Sequence, residues 1–390
     1  MTMETYEERV AFCTLNRIFG FKPALARCLV EGLGGAMAAF RLRGRELKDL
    51  FGPFTEYPDK INDDELERSR KELQWLEERG YSLIVLGDPC YPQALRECPD
   101  APMGLYLRSA TPPERVFNTA AAVSIVGTRD VSAYGREWTA RITGALADAV
   151  KRPVIVSGLA MGVDVCAHAA ALENGLPTIG VMATGIEGVY PWAHRAIASR
   201  IASTEGCALI TDYPPGTRPQ AINFLRRNRI IAGLSLATVL VESKMQGGGI
   251  ITAELAFEYD RGVFALPGRA DDVRSEGCNR MIKSNIAEPL TDLAGFVSSL
   301  GLGTLSRRSK ALLSEEIRRL FAARVSPEEL ARLQEVAALI KARRGIEKED
   351  IGLQCGMEYR DALLYTGMLE SEGIIYTDLL GRCSIVFKNV

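Results

Sequence analysis

Apolar and polar positions follow two different periods along the chain. Up to about residue 75, apolar residues recur at helical spacing, as in residues 6–19 and 23–31, and a glycine-rich break follows at residues 32–35. From residue 82 onward, short apolar runs bounded by turn residues replace this spacing. The change of period predicts a helical domain over residues 1–75, followed by a domain that contains a sheet.

The short apolar runs predict strands that alternate with helices. The predicted strands are residues 83–86, 105–107, 123–126, 154–156, 178–181, 208–210, 238–241 and 263–266. The last six are each followed by a helical stretch, a pattern typical of a mostly parallel sheet with helices on both faces. We therefore expect a doubly wound α/β domain over residues 80–300.

The strand signal fades after about residue 300. A charged stretch at Ser306–Lys310 leads into amphipathic helices and a hairpin-like pair, residues 374–376 and 384–387, around Gly381. This order predicts a winged-helix-like domain over residues 310–390. Its recognition helix would be residues 363–375, which contain two glutamates and no arginine, so we expect it to contact protein more than DNA. A regulator that reads duplex DNA through this helix remains an alternative.

Composition narrows the class of protein. The chain has 390 residues, of which 47% are hydrophobic and 25% charged, which fits two or three globular domains. Because the formal net charge is -2, attraction to an anionic partner must come from a local patch. The nine cysteines include no C-x-x-C pair, which indicates reduced thiols and a cytoplasmic location. The acidic N-terminus and the lack of an apolar run of about 18 residues predict neither export nor membrane insertion.

The most basic segment is the acid-free stretch from Arg218 to Arg229. A helix here would bring Arg226 and Arg229 onto nearly one face, with Arg227 beside them. We expect Arg226 and Arg229 to lie on the surface. Asn228 adds a polar group, and Phe224 offers a ring on which a base can stack. Because ligands of such sheets gather at the carboxyl ends of the strands, the segment indicates a phosphate-rich polymer, with nucleic acid as the first hypothesis.

Glycine-containing turns follow several of the predicted strands. The first contains Gly127, Thr128 and Arg129, the second Ser157, Gly158 and Gly162, and the third Gly247, Gly248 and Gly249. Each precedes a helix, so backbone N–H groups are available to an anion. Asp164, after the second turn, is interpreted as a helix cap favoured by the helix dipole rather than as a catalytic acid.

Other kinds of chemistry find little support in the sequence. The only histidines, His168 and His194, have no partners at metal-ligand or nucleophile spacing, and His168 is interpreted as a packing residue. The G-x-x-x-x-G-K-[ST] motif of ATP-hydrolysing P-loops is missing. We therefore expect no catalytic residue, no metal and no cofactor.

Several of these segments, taken in order, resemble the DNA-processing protein A (DprA/Smf) family. They are Gly127–Arg129 with Ser132–Gly135, Ser157–Asp164 with His168, Gly188–Pro191, Phe224–Ser235 and Pro267–Gly268. The similarity is strong over about residues 80 to 290. The family's frequent helical N-terminal domain, of SAM-like or helix-hairpin-helix-like type, and its winged helix fit the two ends of the chain.

The resemblance implies a Rossmann-like domain that binds single-stranded DNA and forms a homodimer. Such a protein protects incoming DNA and helps to load RecA recombinase during natural transformation, with no established catalytic reaction. By motif position, DNA would contact the residues Arg129, Ser157, Gly158, Arg226, Arg227, Asn228, Arg229 and Gly247–Gly249. The chain departs from the family pattern at Thr211–Pro214, at the triple glycine and around Ser284–Ala287. These departures affect the rim of the DNA-binding pocket that the resemblance implies.

One enzyme class also shares a motif with this chain. Gly247–Glu254 looks like the Gly-Gly-x-Gly-Thr-x-x-Glu site of nucleotide phosphoribohydrolases, in which Glu254 would be a catalytic carboxylate. Ile251 stands where that motif has threonine, and the arginine segment would have no role. A phosphoribohydrolase-like enzyme is therefore the alternative.

Overall fold

The chain forms two compact units, residues 1–304 and 305–390, where the sequence predicted three domains. A computed structural model describes residues 3–52, 54–117, 121–304, 308–343, 345–378 and 381–385. Buried apolar side chains form separate clusters in the two units. Each unit therefore has a hydrophobic core of its own.

The helices and strands follow the predicted order. The elements before the central sheet are α1 (Met3–Phe19), α2 (Pro23–Leu33), α3 (Ala36–Ala39), α4 (Gly44–Phe51), α5 (Tyr57–Lys60), α6 (Asp63–Glu78), β1 (Ser82–Val85), α7 (Gln93–Arg96), β2 (Gly104–Arg108) and α8 (Pro113–Val116). The central elements are β3 (Ala122–Val126), α9 (Ala133–Ala147), β4 (Val154–Ser157), α10 (Val163–Glu173), β5 (Thr178–Val181), a 3-10 helix (Trp192–His194), α11 (Arg195–Ser203), β6 (Ala208–Thr211), α12 (Ala221–Leu234), β7 (Ala237–Leu240), α13 (Gly248–Glu258), β8 (Gly262–Ala265), α14 (Glu276–Lys283), β9 (Glu288–Pro289) and α15 (Leu293–Ser299). The second unit contains α16 (Arg308–Phe321), α17 (Pro327–Ala342), β10 (Ile346–Glu347), α18 (Lys348–Gln354), α19 (Tyr359–Ser371), β11 (Ile375–Thr377) and β12 (Arg382–Ile385).

The described part of the first unit contains a nine-stranded sheet in the order β1-β2-β6-β5-β4-β3-β7-β8-β9. Strands β3 to β9 are parallel to one another. At the other end of the sheet, β2 pairs antiparallel with both β1 and β6. After β3 the chain builds outward through β4, β5 and β6, and then returns to place β7 on the other side of β3. The predicted doubly wound, mostly parallel sheet is confirmed, and its order reverses between β3 and β7.

Helices cover both faces of this sheet. On one face, Ile230 of α12 and Ala253 of α13 are buried against the strands, and on the other face Ile142 of α9 and Ala167 of α10 are buried. The strands between these layers are buried on both sides and consist mostly of apolar residues, as is typical of a sheet covered from two directions. The sheet therefore holds the loops at its carboxyl edge on a rigid support.

The N-terminal helices complete the core at the β1–β2 end of the sheet. Phe19 of α1 belongs to the same buried cluster as Leu83 of β1, Tyr106 of β2 and Leu209 of β6. The Tyr106 hydroxyl donates a hydrogen bond to the Glu72 carboxylate of α6. The helical segment and the sheet thus share one core, although the sequence predicted a domain boundary between residues 75 and 80.

The second unit pairs its helices with a small antiparallel sheet. Among its described residues the strand order is β10-β12-β11, and Ile375 lies opposite Ile385. The predicted hairpin is confirmed as far as residue 385, whereas Val386 and Phe387 lie outside the described residues, as do Ser306 and Arg307 of the charged stretch. The winged-helix assignment stays a prediction.

Within the described residues, no helix is long and apolar enough to cross a membrane. The same residues contain no group of three or more His, Cys, Asp and Glu side chains that could hold a metal ion.

Candidate nucleic-acid interface

The loops after β3 and β7 meet where the strand order reverses, which is the usual ligand position in an open α/β sheet. The Thr128 N–H donates to the Glu242 carbonyl at 2.7 Å, so the two loops are bonded together. A Cβ on Gly249 would lie 3.0 Å from the Cα of Gly127. The two glycines are therefore needed for the close approach of the backbones.

The Glu242 side chain bonds to the first predicted anion-binding turn from the buried side. Its buried carboxylate accepts the Ser132 N–H at 2.9 Å and the Ser132 hydroxyl, and that hydroxyl accepts the Gly135 N–H at 3.0 Å. Helix α9 thus starts with its N–H groups partly satisfied by protein atoms. Arg129, in contrast, is exposed, and no carboxylate among the described residues forms an ion pair with it.

Hydrogen-bond donors of the second turn also have partners within the protein. The Asp164 carboxylate accepts the N–H groups of Gly158 at 3.1 Å and Ala160 at 3.4 Å, and the buried Ser157 hydroxyl donates to the Ile125 carbonyl at 2.7 Å. Asp164 lies in the first turn of α10, as predicted, but its carboxylate bonds the loop before the helix. Burial raises the pKa of this carboxyl above its usual range. Direct contact of Ser157 and Gly158 with DNA stays a prediction.

Gly162 lets the second turn pack against the first. Its φ is +81°, and a Cβ there would overlap the Thr128 carbonyl oxygen and lie 2.7 Å from the Arg129 backbone. The Val163 N–H also donates to the Thr128 carbonyl at 3.1 Å. Gly162 therefore fixes the position of the loop that carries Arg129.

The third turn is open toward solvent at Gly248, whereas Gly249 is buried. Helix α13 begins at Gly248, and the N–H groups of Gly247, Gly248 and Gly249 have no acceptor among the residues that the structure describes. Gly248 is exposed, with open space where a Cβ would stand. The Asn228 side chain donates to the Gly248 carbonyl at 3.2 Å and so attaches α12 to this turn. Free N–H groups at a helix start bind anions well.

Aromatic rings and a cation lie together beside this edge. The Arg129 guanidinium is 5.7 Å from the centre of the half-buried Phe224 ring, and the Tyr190 ring centre is 5.4 Å from that of Phe224. Tyr190 is half exposed. We call Arg129, Tyr190, Phe224 and the Gly247–Gly249 turn the switch-point cluster. Its combination of a cation, π faces and free N–H groups suits a phosphate and an unpaired base.

The prediction that Arg229 lies on the surface is wrong. Its side chain is buried, and its guanidinium forms an ion pair with the buried Asp212 and donates to the Asp100 carbonyl. Arg227 is also buried, and it donates to the Gly158 and Val181 carbonyls. Burial lowers the pKa of Arg227 to about 10. Both arginines thus hold the floor of the site together, and their direct contact with DNA stays a prediction.

Arg226 lies between these two environments. It is half-buried, its guanidinium stacks 3.8 Å from the centre of the Phe21 ring, and it donates to the Gly20 carbonyl. The expected surface position is therefore only partly met. Arg226 attaches the turn between α1 and α2 to α12, and one face of its guanidinium is already covered.

Two further sequence predictions concern single side chains. His168 is buried on α10 and its Nδ1 lies 2.7 Å from the Thr178 hydroxyl, which confirms it as a packing residue. Glu254 is half-buried on α13, the helix that starts at the third turn. The sequence did not identify Tyr190, Glu242 or Asp212 as site residues. Tyr190 follows a strand end in a Gly-Val-Tyr-Pro segment, which was the available signal.

Comparisons with known proteins show which family the chain resembles over most of its first unit. The family model of the DNA recombination-mediator protein A matches residues 82–301. Protein Smf of Synechocystis is 34% identical over 298 residues, which cover 75% of this chain and 73% of that protein.

Solved structures of DNA processing protein A also resemble this chain. The DNA processing protein A of Streptococcus pneumoniae has a TM-score of 0.61 and 30% identity, with 76% of this chain and 98% of that chain covered. The DNA processing protein A of Helicobacter pylori, which has a single-stranded DNA binding mode, has a TM-score of 0.50 and 28% identity, with 56% of this chain and 95% of that chain covered.

Proposed function

Because this chain belongs to the DNA recombination-mediator protein A family, we propose that it binds single-stranded DNA at the switch-point cluster. In this proposal the protein acts in the cytoplasm as a homodimer that protects incoming DNA and helps to load RecA recombinase during natural transformation. It catalyses no reaction itself. The single-stranded DNA binding of the Helicobacter pylori relative supports the choice of ligand.

The observation that carries the proposal is the exposed Arg129 beside the Phe224 and Tyr190 rings. A guanidinium attracts a phosphate of any sequence, and an aromatic ring stacks on any unpaired base. The free N–H group of the exposed Gly248 adds a donor for a second phosphate oxygen. In duplex DNA the base faces are already stacked, so this arrangement favours the single strand.

Fluorescence anisotropy with labelled oligo-dT and a matching duplex, across a salt series, tests the proposal. We expect tighter binding of the single strand and an affinity that falls as salt rises. Phe224→Ala should weaken single-strand binding roughly 5- to 100-fold, as the loss of one stacked base does. Arg129→Ala should weaken binding and reduce the salt slope by about 0.7, the value for one phosphate contact.

Arg152→Ala is the matched control for Arg129. Arg152 is also an exposed arginine, but it precedes β4 and bonds the Asn174 and Gly175 carbonyls at the opposite edge of the sheet. Its removal should leave DNA affinity unchanged. Equal affinities of Arg129→Ala, Phe224→Ala and the parent protein would overturn the assignment of the cluster.

The phosphoribohydrolase alternative is tested with the same protein. Release of base from nucleoside monophosphates that is lost in Glu254→Gln, together with weak DNA binding, would replace the proposal with that enzyme class. Size-exclusion chromatography with light scattering checks the homodimer, and RecA filament formation on oligo-dT coated with single-strand binding protein checks the loading step.

A further inference from the structure

A second aromatic and cationic pair lies outside the switch-point cluster. Trp192, in the 3-10 helix after Tyr190, is 69% exposed, and the Arg195 guanidinium lies 4.3 Å from the centre of its ring. Indole rings are usually buried because of their large apolar area. Trp192 therefore presents an uncommon amount of ring surface to solvent.

Contacts on both sides fix Trp192 next to the cluster. Tyr190, two residues earlier, contacts Phe224, and His194, two residues later, has its Nδ1 2.7 Å from the Leu159 carbonyl of the second turn. Two residues span at most about 7 Å of chain, so the Trp192 backbone lies within that distance of both neighbours. Trp192 thus stands at the carboxyl edge of the sheet, along the same row of loops.

The pair repeats the chemistry of the cluster. Phe224 with Arg129 and Trp192 with Arg195 each join a π face to a guanidinium. In proteins that bind single strands without sequence preference, successive bases stack on successive aromatic rings while cations follow the backbone. Two such pairs in one row match that repeating ligand.

We propose that Trp192 and Arg195 form a second base-stacking subsite for single-stranded DNA, adjacent to the switch-point cluster. The subsite rests on the proposed function, since it extends the path of the same ligand. One nucleotide fills the cluster alone, and a longer strand also places a base on Trp192 and a phosphate near Arg195.

Tryptophan fluorescence can observe this subsite directly. The chain contains three tryptophans, and the other two, Trp75 and Trp138, are half-buried. A base stacked on an exposed indole quenches its emission. We expect unlabelled oligo-dT to quench the wild-type protein and to leave the emission of Trp192→Phe nearly unchanged, although this variant keeps a stacking ring and still binds labelled oligo-dT. Trp138→Phe should retain the quenching.

Affinity gives the second readout. Trp192→Ala should bind long oligo-dT roughly 5- to 100-fold more weakly, with a far smaller loss in Trp192→Phe. Competition by thymidine monophosphate, which fills one position only, should be the same in Trp192→Ala and in wild type. Arg195→Ala should reduce the salt slope for the long strand.

The results separate the two proposals. If oligo-dT binds but the quenching persists in Trp192→Phe, or if Trp192→Ala binds long oligo-dT as tightly as wild type, the second subsite is wrong and the proposed function stands. If oligo-dT does not bind the wild-type protein at all, the proposed function fails and the subsite with it. Thermal denaturation of each variant verifies that it is folded.

Discussion

Arg129 and Arg229 carry the same charge in opposite environments. Arg129 is exposed and its guanidinium lies beside the Phe224 ring, whereas Arg229 is 6% exposed and paired with Asp212. An exposed cation can meet a phosphate with little loss of other bonds. If a buried arginine gave up its carboxylate partner to bind a phosphate, the carboxylate would remain in the interior as an unpaired charge, which costs free energy.

Arg229→Ala should therefore destabilise the protein, and Arg129→Ala should not. Removal of one partner of a buried ion pair costs about 3–5 kcal/mol, because Asp212 would remain buried without its counter-charge. A surface change such as Arg129→Ala stays within about 0.5 kcal/mol. Urea denaturation followed by circular dichroism measures both. Equal unfolding midpoints for the two variants would contradict this account of Arg229.

His168 should make the stability depend on pH. Burial, together with the nearby charge of Arg227, lowers the pKa of His168 from its ordinary value of 6.5 to about 3. In this range the unfolded chain binds a proton that the folded chain does not, so stability falls as the pH drops from about 6.5 toward 3. The loss from His168 is roughly 2 kcal/mol between about pH 7 and pH 5.

The variant His168→Gln removes this titration and keeps a polar group near Thr178. Urea midpoints measured at several pH values should show a shallower acid loss in His168→Gln than in wild type. If the urea midpoints of the two proteins changed with pH in parallel, His168 would be excluded as the cause of the loss of stability in acid. His194, which is only partly buried, provides a second histidine variant for comparison.

Among the structural elements, the loop between β4 and α10 has the strictest backbone requirement. Gly162→Ala should place a methyl group against the Thr128 carbonyl at a φ of +81° and push the Arg129 loop away. We expect a loss of stability of at least about 1–3 kcal/mol and weaker DNA binding.

Gly144→Ala is the control for this substitution. Gly144 lies inside α9, and outside the backbone of this helix no described atom would lie within 4 Å of a Cβ there. Alanine should therefore stabilise the helix by about 0.5–1 kcal/mol. Differential scanning calorimetry of both variants gives the comparison. A stable Gly162→Ala with unchanged affinity would show that the two loops can separate without consequence.

Elements of regular period were predictable from the sequence. Strand β5 has the predicted ends, and the arginine segment is a helix, because alternation and helical spacing are local properties of the chain. The burial of Arg229 was not predictable, since its partner Asp212 lies 17 positions away and the Asp100 carbonyl 129 positions away. The same holds for Arg129 and Phe224, which only the order of the strands brings together.

At the scale of the whole molecule, the two units should unfold separately. Every residue of the switch-point cluster and of the proposed second subsite belongs to residues 1–304, which form a compact unit with their own core. A fragment of residues 1–304 should keep the urea midpoint of this unit and bind oligo-dT as the full chain does.

A fragment of residues 80–304 should behave differently. Without α1–α6, the apolar side chains of Leu83, Tyr106 and Leu209 lose their cover. We expect no cooperative unfolding transition and binding of a hydrophobic dye. A cooperative transition at the midpoint of the longer fragment would show instead that residue 80 is a domain boundary, as the sequence predicted.

The core that α1–α6 share with the sheet also affects the synthesis of the protein. Asn16 of α1 donates a hydrogen bond to the Asp212 carbonyl, 196 positions later, and the buried cluster around Phe19 needs Leu209 of β6. The ribosome adds roughly 5–20 residues per second, so the N-terminal helices wait on the order of ten seconds for that strand. Until β6 is made, the apolar face of these helices lacks part of its cover and is open to chaperones.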